Sequence, residues 1–196
     1  MMMTNKKLVL ASRSPRRRHL LRQIGLQFEA LESNIDERFD SKKSPGQNVR
    51  SLALQKALTV AAFQENAIVL GADTVVILNK RILGKPRNKK EAIAMLTSLS
   101  GRTHKVYTGI ALVDSSSGAS LSAVEVTEVT FRKLSMKEIS AYVRTGSPMD
   151  KAGAYGIQDD YGAVFVEKID GCFYNVVGLP LTRFYLTMQK FQRQLS

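Results

Sequence analysis

Tryptophan is absent from this 196-residue chain, cysteine occurs once and histidine twice. The single cysteine, Cys172, excludes an intramolecular disulfide. With only His19 and His104 beside it, there are too few thiolates and imidazoles for a zinc centre. The opening "MMMTNKKLVLAS" holds too short an apolar run for a secretory leader or a membrane span, so a reducing cytoplasm is the expected home. Three motifs are missing as well. Without GxxxxGK[ST], GxGxxG or GxSxG, the P-loop, Rossmann and serine-hydrolase readings fall away. Acids are scarce beside bases, 17 against 29, for a net charge of +12. That excess suits a polyanionic partner: a nucleotide, nucleic acid or an acidic membrane surface.

What is present reads as one globular domain over residues 1–196. The composition is 44% hydrophobic and 23% charged, enough for a real core, and no repeat, linker or low-complexity tract interrupts it. "KLVLAS" is a first buried strand. Ser14 then caps a helix with Pro15 at its first position, Leu20, Leu21 and Ile24 as its apolar stripe and Gly25 as its stop. "LQFEALESNIDERFD" is a short strand running into an acidic loop. A second Ser-Pro start, "SPGQNVRSLALQKALTVAAF", opens a helix on which Val49, Leu52, Ala53 and Val60 share a face. "AIVLGADTVVILNKRILGKP" is a buried strand with an acid in it, turning back at Asn79-Lys80. Asn88 and Glu91 open the next helix, striped by Ala92, Met95, Leu96 and Leu99 and stopped by Gly101. "KVYTGIALVD" and "LSAVEVTEVTFRKL" are strands, and Ser135 with Glu138 starts a helix to about Arg144. "AVFVEKI" and "CFYNVVG" are expected to pair as a hairpin, ahead of a final helix carrying Phe184, Tyr185, Met188 and Phe191. Early strand–helix alternation and late hairpins predict an α/β fold with a mixed twisted sheet flanked by helices.

The chemistry concentrates in carboxylates and cations. "SPRRRHLL" puts three arginines in the first turn of a helix, where the positive end of the dipole makes each exposed cation unfavourable by roughly 0.3–1 kcal/mol. A bound anion at that terminus reverses the sign. Successive helical side chains diverge by about 100°, so Arg16, Arg17 and Arg18 do not all reach one ligand, and Arg18 is assigned to solvent or an interface. Lys56 falls four residues past Leu52 on the apolar face, so it either points inward or snorkels to water along its stem. Asp73 follows the apolar run Ala67–Leu70 and precedes another. It is either a structural acid at a turn beside Gly71 or a carboxylate that holds a metal ion. Lys85 sits in a Gly-Lys-Pro turn. Arg16, Arg17, Lys56 and Lys85 make a set suited to a triphosphate, whose transfer chemistry rests on positioning and charge neutralisation with Mg²⁺.

"LASRSPRRRHLL", "IDE", "LALQKA", "GADTVVILNKRILGKP", "LSGRTHKVYTG", "DKAGAYGIQ" and "VVGLPL", in this order from residue 8 to about 182, resemble the Maf family of nucleoside triphosphate pyrophosphatases. The resemblance implies an elongated, two-lobed α/β core with a central cleft, similar to inosine-triphosphate-pyrophosphatase-like folds. It also implies hydrolysis between the α and β phosphates with Mg²⁺ or Mn²⁺, and a homodimer. By matching motif, Asp73 becomes the general base or metal-associated carboxylate and Glu37 joins it at the metal. Lys85 is catalytic and holds the phosphates with Ser12, Ser14, Arg16, Arg17 and Lys56.

Arg16, Thr74 and Gln158 agree with the family's pyrimidine branch, which acts on dTTP and UTP; a branch acting on 7-methyl-GTP typically carries Trp, Gln and Glu there. A glutamine amide can both donate and accept toward a pyrimidine edge. Arg13, Arg18 and Gln55 depart from the common pattern without changing the reaction class. The alternatives are a 7-methyl-GTP or other purine-directed pyrophosphatase, and a basic nucleic-acid-binding division regulator. The basic residues do not interleave with aromatics and no helix-turn-helix signal occurs, which argues against nucleic acid.

Overall fold

The computed structural model describes residues 6–158 and 160–195. In chain order the elements are β1 (Lys7–Ala11), α1 (Pro15–Gln23), β2 (Glu29–Leu31), α2 (Pro45–Ala61), β3 (Ala67–Leu78), β4 (Arg81–Leu83) and α3 (Lys89–Leu99). There follow β5 (Thr103–Asp114), β6 (Ser120–Phe131), α4 (Met136–Arg144), β7 (Val166–Asp170), α5 (Phe173–Val177) and α6 (Leu181–Leu195). Short 3₁₀ turns fill much of the stretch between α4 and β7. One mixed sheet runs β2-β1-β3-β5-β6-β7, with β4 paired to β3. β1 lies parallel to both β2 and β3, while β4 and β7 are antiparallel to their partners. The α/β class with a mixed sheet flanked by helices is therefore found.

The helix starts obey the capping chemistry. Ser14 Oγ accepts from the Arg17 N–H at 3.4 Å, and Asn88 Oδ1 accepts from Glu91 N–H at 2.9 Å. Ser44 with Gln47 and Ser135 with Glu138 form reciprocal capping boxes, which satisfy two otherwise orphaned backbone donors each. The β3–β4 connection turns at Asn79 (φ +48) and Lys80 (φ +67). Positive φ at both central residues is the primed turn whose twist matches a hairpin.

The chain divides into two compact units. The first comprises the described residues up to Asp73, Thr108–Glu125 and Gly178 onward; the second comprises Thr74–Tyr107 and Val126–Val177, so β3, β5 and β6 supply residues to both. In the first unit, Val9, Ala11 and Val69 on the strands meet Ala53, Ala57 and Val60 of α2. The contact is close because the strands carry glycine there. A Cβ on Gly71 would lie 2.0 Å from the Ala53 carbonyl oxygen, and one on Gly109 2.4 Å from that of Val49. The second unit has an aromatic core. Phe131 meets Tyr155 edge-on at 4.7 Å, and Phe165 meets Tyr142 in the same way at 5.1 Å. The stripes of α3 and α4 close over these rings.

One sequence expectation needs correction here. β7 forms and pairs with β6, Val129 opposite Ile169, but "CFYNVVG" is not its hairpin partner, since residues 173–177 coil into α5. The reason is Asn175, fully buried, whose Nδ2 donates to Val106 O at 3.0 Å and to Thr127 Oγ1 at 2.9 Å. Thr127 Oγ1 also accepts from Cys172 N–H at 3.1 Å. Satisfying the buried Asn175 Nδ2 donors outweighs the β propensity of Phe, Tyr and Val. On α6, Phe184, Met188 and Phe191 are buried, whereas Tyr185 faces outward.

Candidate active site

Lys56 is the centre of the site. The glycines under α2 let its backbone approach β3, and three residues past Ala53 the Lys56 side chain runs inward, 5% exposed. Its ammonium reaches Asp73 Oδ1 at 2.6 Å and Glu37 Oε1 at 2.6 Å. The choice between an inward and a snorkelling lysine is thus settled for the inward one. Asp73 stands within an unbroken β3, not at a turn, and is 6% exposed. Glu37 comes from the loop after β2 and remains half-exposed.

Two carboxylates on one ammonium is a small concentration of charge. Burial pushes the Asp73 carboxyl above its ordinary pKa, while the Lys56 charge and hydrogen bond, with Arg17 beyond, pull it back only in part. An acid in that state holds a proton near neutral pH more readily than a solvated aspartate, the property a general base needs.

The β1–α1 turn faces the same acid. Ser12, buried, accepts through its Oγ from Ser14 N–H at 3.2 Å and from Arg17 Nη1 at 3.1 Å. Arg17 Nη1 also donates to Ala72 O at 3.0 Å, and its Nε to Gly178 O at 2.8 Å. Burial lowers the Arg17 pKa, with Asp73 opposing the shift and Arg16 adding to it; a guanidinium stays protonated regardless. Arg16 is half-buried on α1. Arg18 turns away, its Nη2 donating to Arg13 O at 2.7 Å.

Ser12, Arg17, Glu37, Lys56 and Asp73 are therefore gathered in the first unit, with Ser14 as the helix cap and Arg16 on the same turn. Thr74, Lys85 and Gln158 belong to the second unit. Thr74 and Gln158 are half-buried and Lys85 is exposed. The Gly-Lys-Pro segment is held from behind by Gly153 N–H, which donates to Gly84 O at 3.0 Å.

Two contributors were missed in the sequence. Asn48, 3% exposed, donates through Nδ2 to Asp40 O, and its Oδ1 accepts from Asp40 N–H at 2.8 Å. It closes the end of the loop that carries Glu37. Its signal was available: a polar amide beside Val49, one turn past the Ser44 cap. Gly178 is the other, present in "VVGLPL" but assigned no task there.

Among the described residues, no group of three or more His, Cys, Asp or Glu side chains could hold a metal ion. The pair Asp73 and Glu37 nonetheless offers hard oxygen donors, and both already share one cation, the Lys56 ammonium. Such a set fits Mg²⁺ or Mn²⁺, which take one or two carboxylates and fill their remaining positions with water and substrate phosphates.

The family model described as Maf-like protein matches residues 7–191. The chain belongs to that family. Among its relatives, a dTTP/UTP pyrophosphatase of Bacillus cytotoxicus is 49% identical over 97% of this chain and 98% of its own. One from Desulforamulus reducens is 44% identical over 94% and 96%, and one from Thermoanaerobacter sp. is 49% identical over 91% and 93%. The lysine–dicarboxylate cluster thus lies in a Maf-like chain whose relatives align along almost its whole length. Among the described residues no helix is long and apolar enough to cross a membrane.

Proposed function

We propose that the protein is a nucleoside triphosphate pyrophosphatase that hydrolyses dTTP and UTP to the monophosphate and pyrophosphate. The observation that carries this reading is the buried Lys56 bridging Asp73 and Glu37 at 2.6 Å each, in a chain 44–49% identical to proteins named for that reaction. Asp73 is the general base. It takes a proton from the water whose oxygen attacks the α-phosphorus, the bond to the α–β bridging oxygen breaks, and pyrophosphate leaves. Lys56 fixes both carboxylates and adds positive charge facing the phosphates. Mg²⁺ or Mn²⁺, held by Asp73 and Glu37, would supply charge neutralisation on the triphosphate.

Arg16 and Lys85 bind phosphate oxygens, with Ser12 and Ser14 shaping the anion-facing helix terminus. Arg16, Thr74 and Gln158 carry the pyrimidine preference, which rests on the motifs that contain them. A house-cleaning role in the cytoplasm as a homodimer, with a link to division arrest and no nucleic-acid or membrane partner, completes the proposal.

The test is pyrophosphate release from a panel of canonical and modified nucleoside triphosphates, with Mg²⁺, Mn²⁺ or EDTA. Metal-dependent turnover concentrated on dTTP and UTP is expected. Turnover of 7-methyl-GTP instead would overturn the specificity and keep the chemistry, whereas no turnover with any nucleotide would overturn the enzyme reading.

A further inference from the structure

Arg17 belongs to the motif whose arginines were assigned to phosphate, yet its Nε and Nη1 donors are engaged within the protein. Its Nε–H donates to Gly178 O at 2.8 Å, and Nη1 donates to Ala72 O at 3.0 Å and Ser12 Oγ at 3.1 Å. We propose that Arg17 is a positioning residue for Asp73 and not a phosphate ligand, the task of gripping the triphosphate falling to Arg16 beside it. The proposal deepens the hydrolytic reading above and rests on it.

The placement of the three acceptors makes the argument. Ala72 O is the carbonyl of the peptide that leads into Asp73, so fixing it sets the direction in which the Asp73 side chain leaves β3. Ser12 Oγ also accepts from Ser14 N–H at 3.2 Å, so the same guanidinium holds the β1–α1 turn. Gly178 lies where the chain re-enters the first unit, and Ala72 directly precedes that unit's last residue before the chain leaves it. The Gly178 φ of +122 is a backbone conformation that a side chain would oppose. One planar fork thus ties three stretches distant in sequence to the base. A lysine could not do this, because an ammonium on a flexible stem lacks the fixed divergence of guanidinium N–H groups. Supporting groups that orient a reacting carboxylate typically change activity by about 10- to 100-fold when removed.

Two measurements test this. In steady-state kinetics on dTTP, Arg17→Lys should lower kcat by about 10- to 100-fold with KM kept within about fivefold, whereas Arg16→Lys should raise KM more than that. A larger rise in KM for Arg17→Lys, or an unchanged kcat, overturns the proposal. The second measurement uses the wild-type protein and does not depend on any variant folding. In ¹H–¹⁵N spectra assigned by triple resonance, the Arg17 Nε–H should exchange slowly in the free protein and move less than the Arg16 Nε–H on adding an α,β-imido dTTP analogue. Fast exchange in the free protein, or a shift as large as that of Arg16, overturns it. Should wild-type protein fail to hydrolyse dTTP, the functional reading falls by itself, while the exchange rate in the free protein still decides where the Arg17 guanidinium is engaged.

Discussion

In the first unit, Lys56, Asp73, Glu37 and Arg17 form one connected cluster of charges beneath α2, while in the second His104, Lys151 and Asn175 are buried one at a time. His104 shares a 2.8 Å hydrogen bond with Tyr155 inside the aromatic core, and Lys151 is closed by Asp150 and the Ser147 hydroxyl at 3.1 and 3.0 Å. Single buried polar groups anchored by local hydrogen bonds, as His104 Nε2, Lys151 Nζ and Asn175 Nδ2 are, are what an interior tolerates for stability. Gathered charges are different. A buried ion pair is weak evidence of stability because desolvation offsets the attraction, so a cluster of this kind points to chemistry. The second unit shows how this chain builds a core when rings and aliphatic stripes do the packing, and the first shows where it departs from that.

The contrast can be broken from either side. The largest effect is expected for Asp73→Asn, which keeps shape and removes the proposed base. Pyrophosphate release from dTTP should fall by about 10²–10⁴-fold, the usual contribution of a general base, and a rate within tenfold of wild type would remove Asp73 from that role. Because burial raises the Asp73 pKa above 3.8, its carboxyl in the metal-free protein should take up a proton at higher pH than a solvated aspartate, which a ¹³C NMR titration without metal checks, and titration like a solvated aspartate would mean that the burial is not felt.

Phe131→Ala attacks the other unit. Phe131 is 1% exposed, and removing its ring should reduce stability by about 3–5 kcal/mol, or about 6–20 °C in Tm, with the KM of the folded protein unchanged. Since β3, β5 and β6 serve both units, calorimetry should show one transition for wild type and variant. Two separated transitions would defeat the reading of one folding domain.

A smaller effect belongs to His104. Burial lowers its pKa from 6.5 to about 4, so below pH 6.5 the unfolded chain takes up a proton that the folded one refuses. Stability should therefore fall as pH drops through that window, by up to about 3 kcal/mol near pH 4. Denaturant midpoints for wild type and His104→Gln measured from pH 7 to 4 will show it; parallel curves would mean the imidazole is not held neutral. Last, Gly71→Ala sets a methyl 2.0 Å from the Ala53 carbonyl. Forcing α2 off β3 should reduce stability by about 1–3 kcal/mol and lower kcat as well, because Lys56 moves with the helix. A Tm loss with full kcat would separate packing from the site.

Much of this arrangement is written locally. The Ser14, Asn88 and Ser135 caps, the Asn79-Lys80 turn and the stripe on α3 depend on neighbours within a few residues, and each could be read from spacing. Asp73 and Lys56 were legible as anomalies, charges on apolar faces, but that one ammonium would hold both Asp73 and Glu37 depends on contacts 17 and 19 positions apart that no periodicity encodes. "CFYNVVG" misled for the same reason: its alternation suggests a strand, and the requirement that overrides it, Asn175 bonding to Val106 and Thr127, lies at least 48 residues away. Arg17 was found for its charge, and the carbonyls that occupy it leave no trace in composition at all.

Lys56 and Lys151 are the lysines that the described structure buries. An acylating reagent added to the native protein will mark the exposed amines first and reach Lys56 only when α2 lifts from β3 or its two acids let go. The label on Lys56, read apart from that on Lys151, therefore times the loosening of the lysine–dicarboxylate cluster, and it needs no substrate to do so.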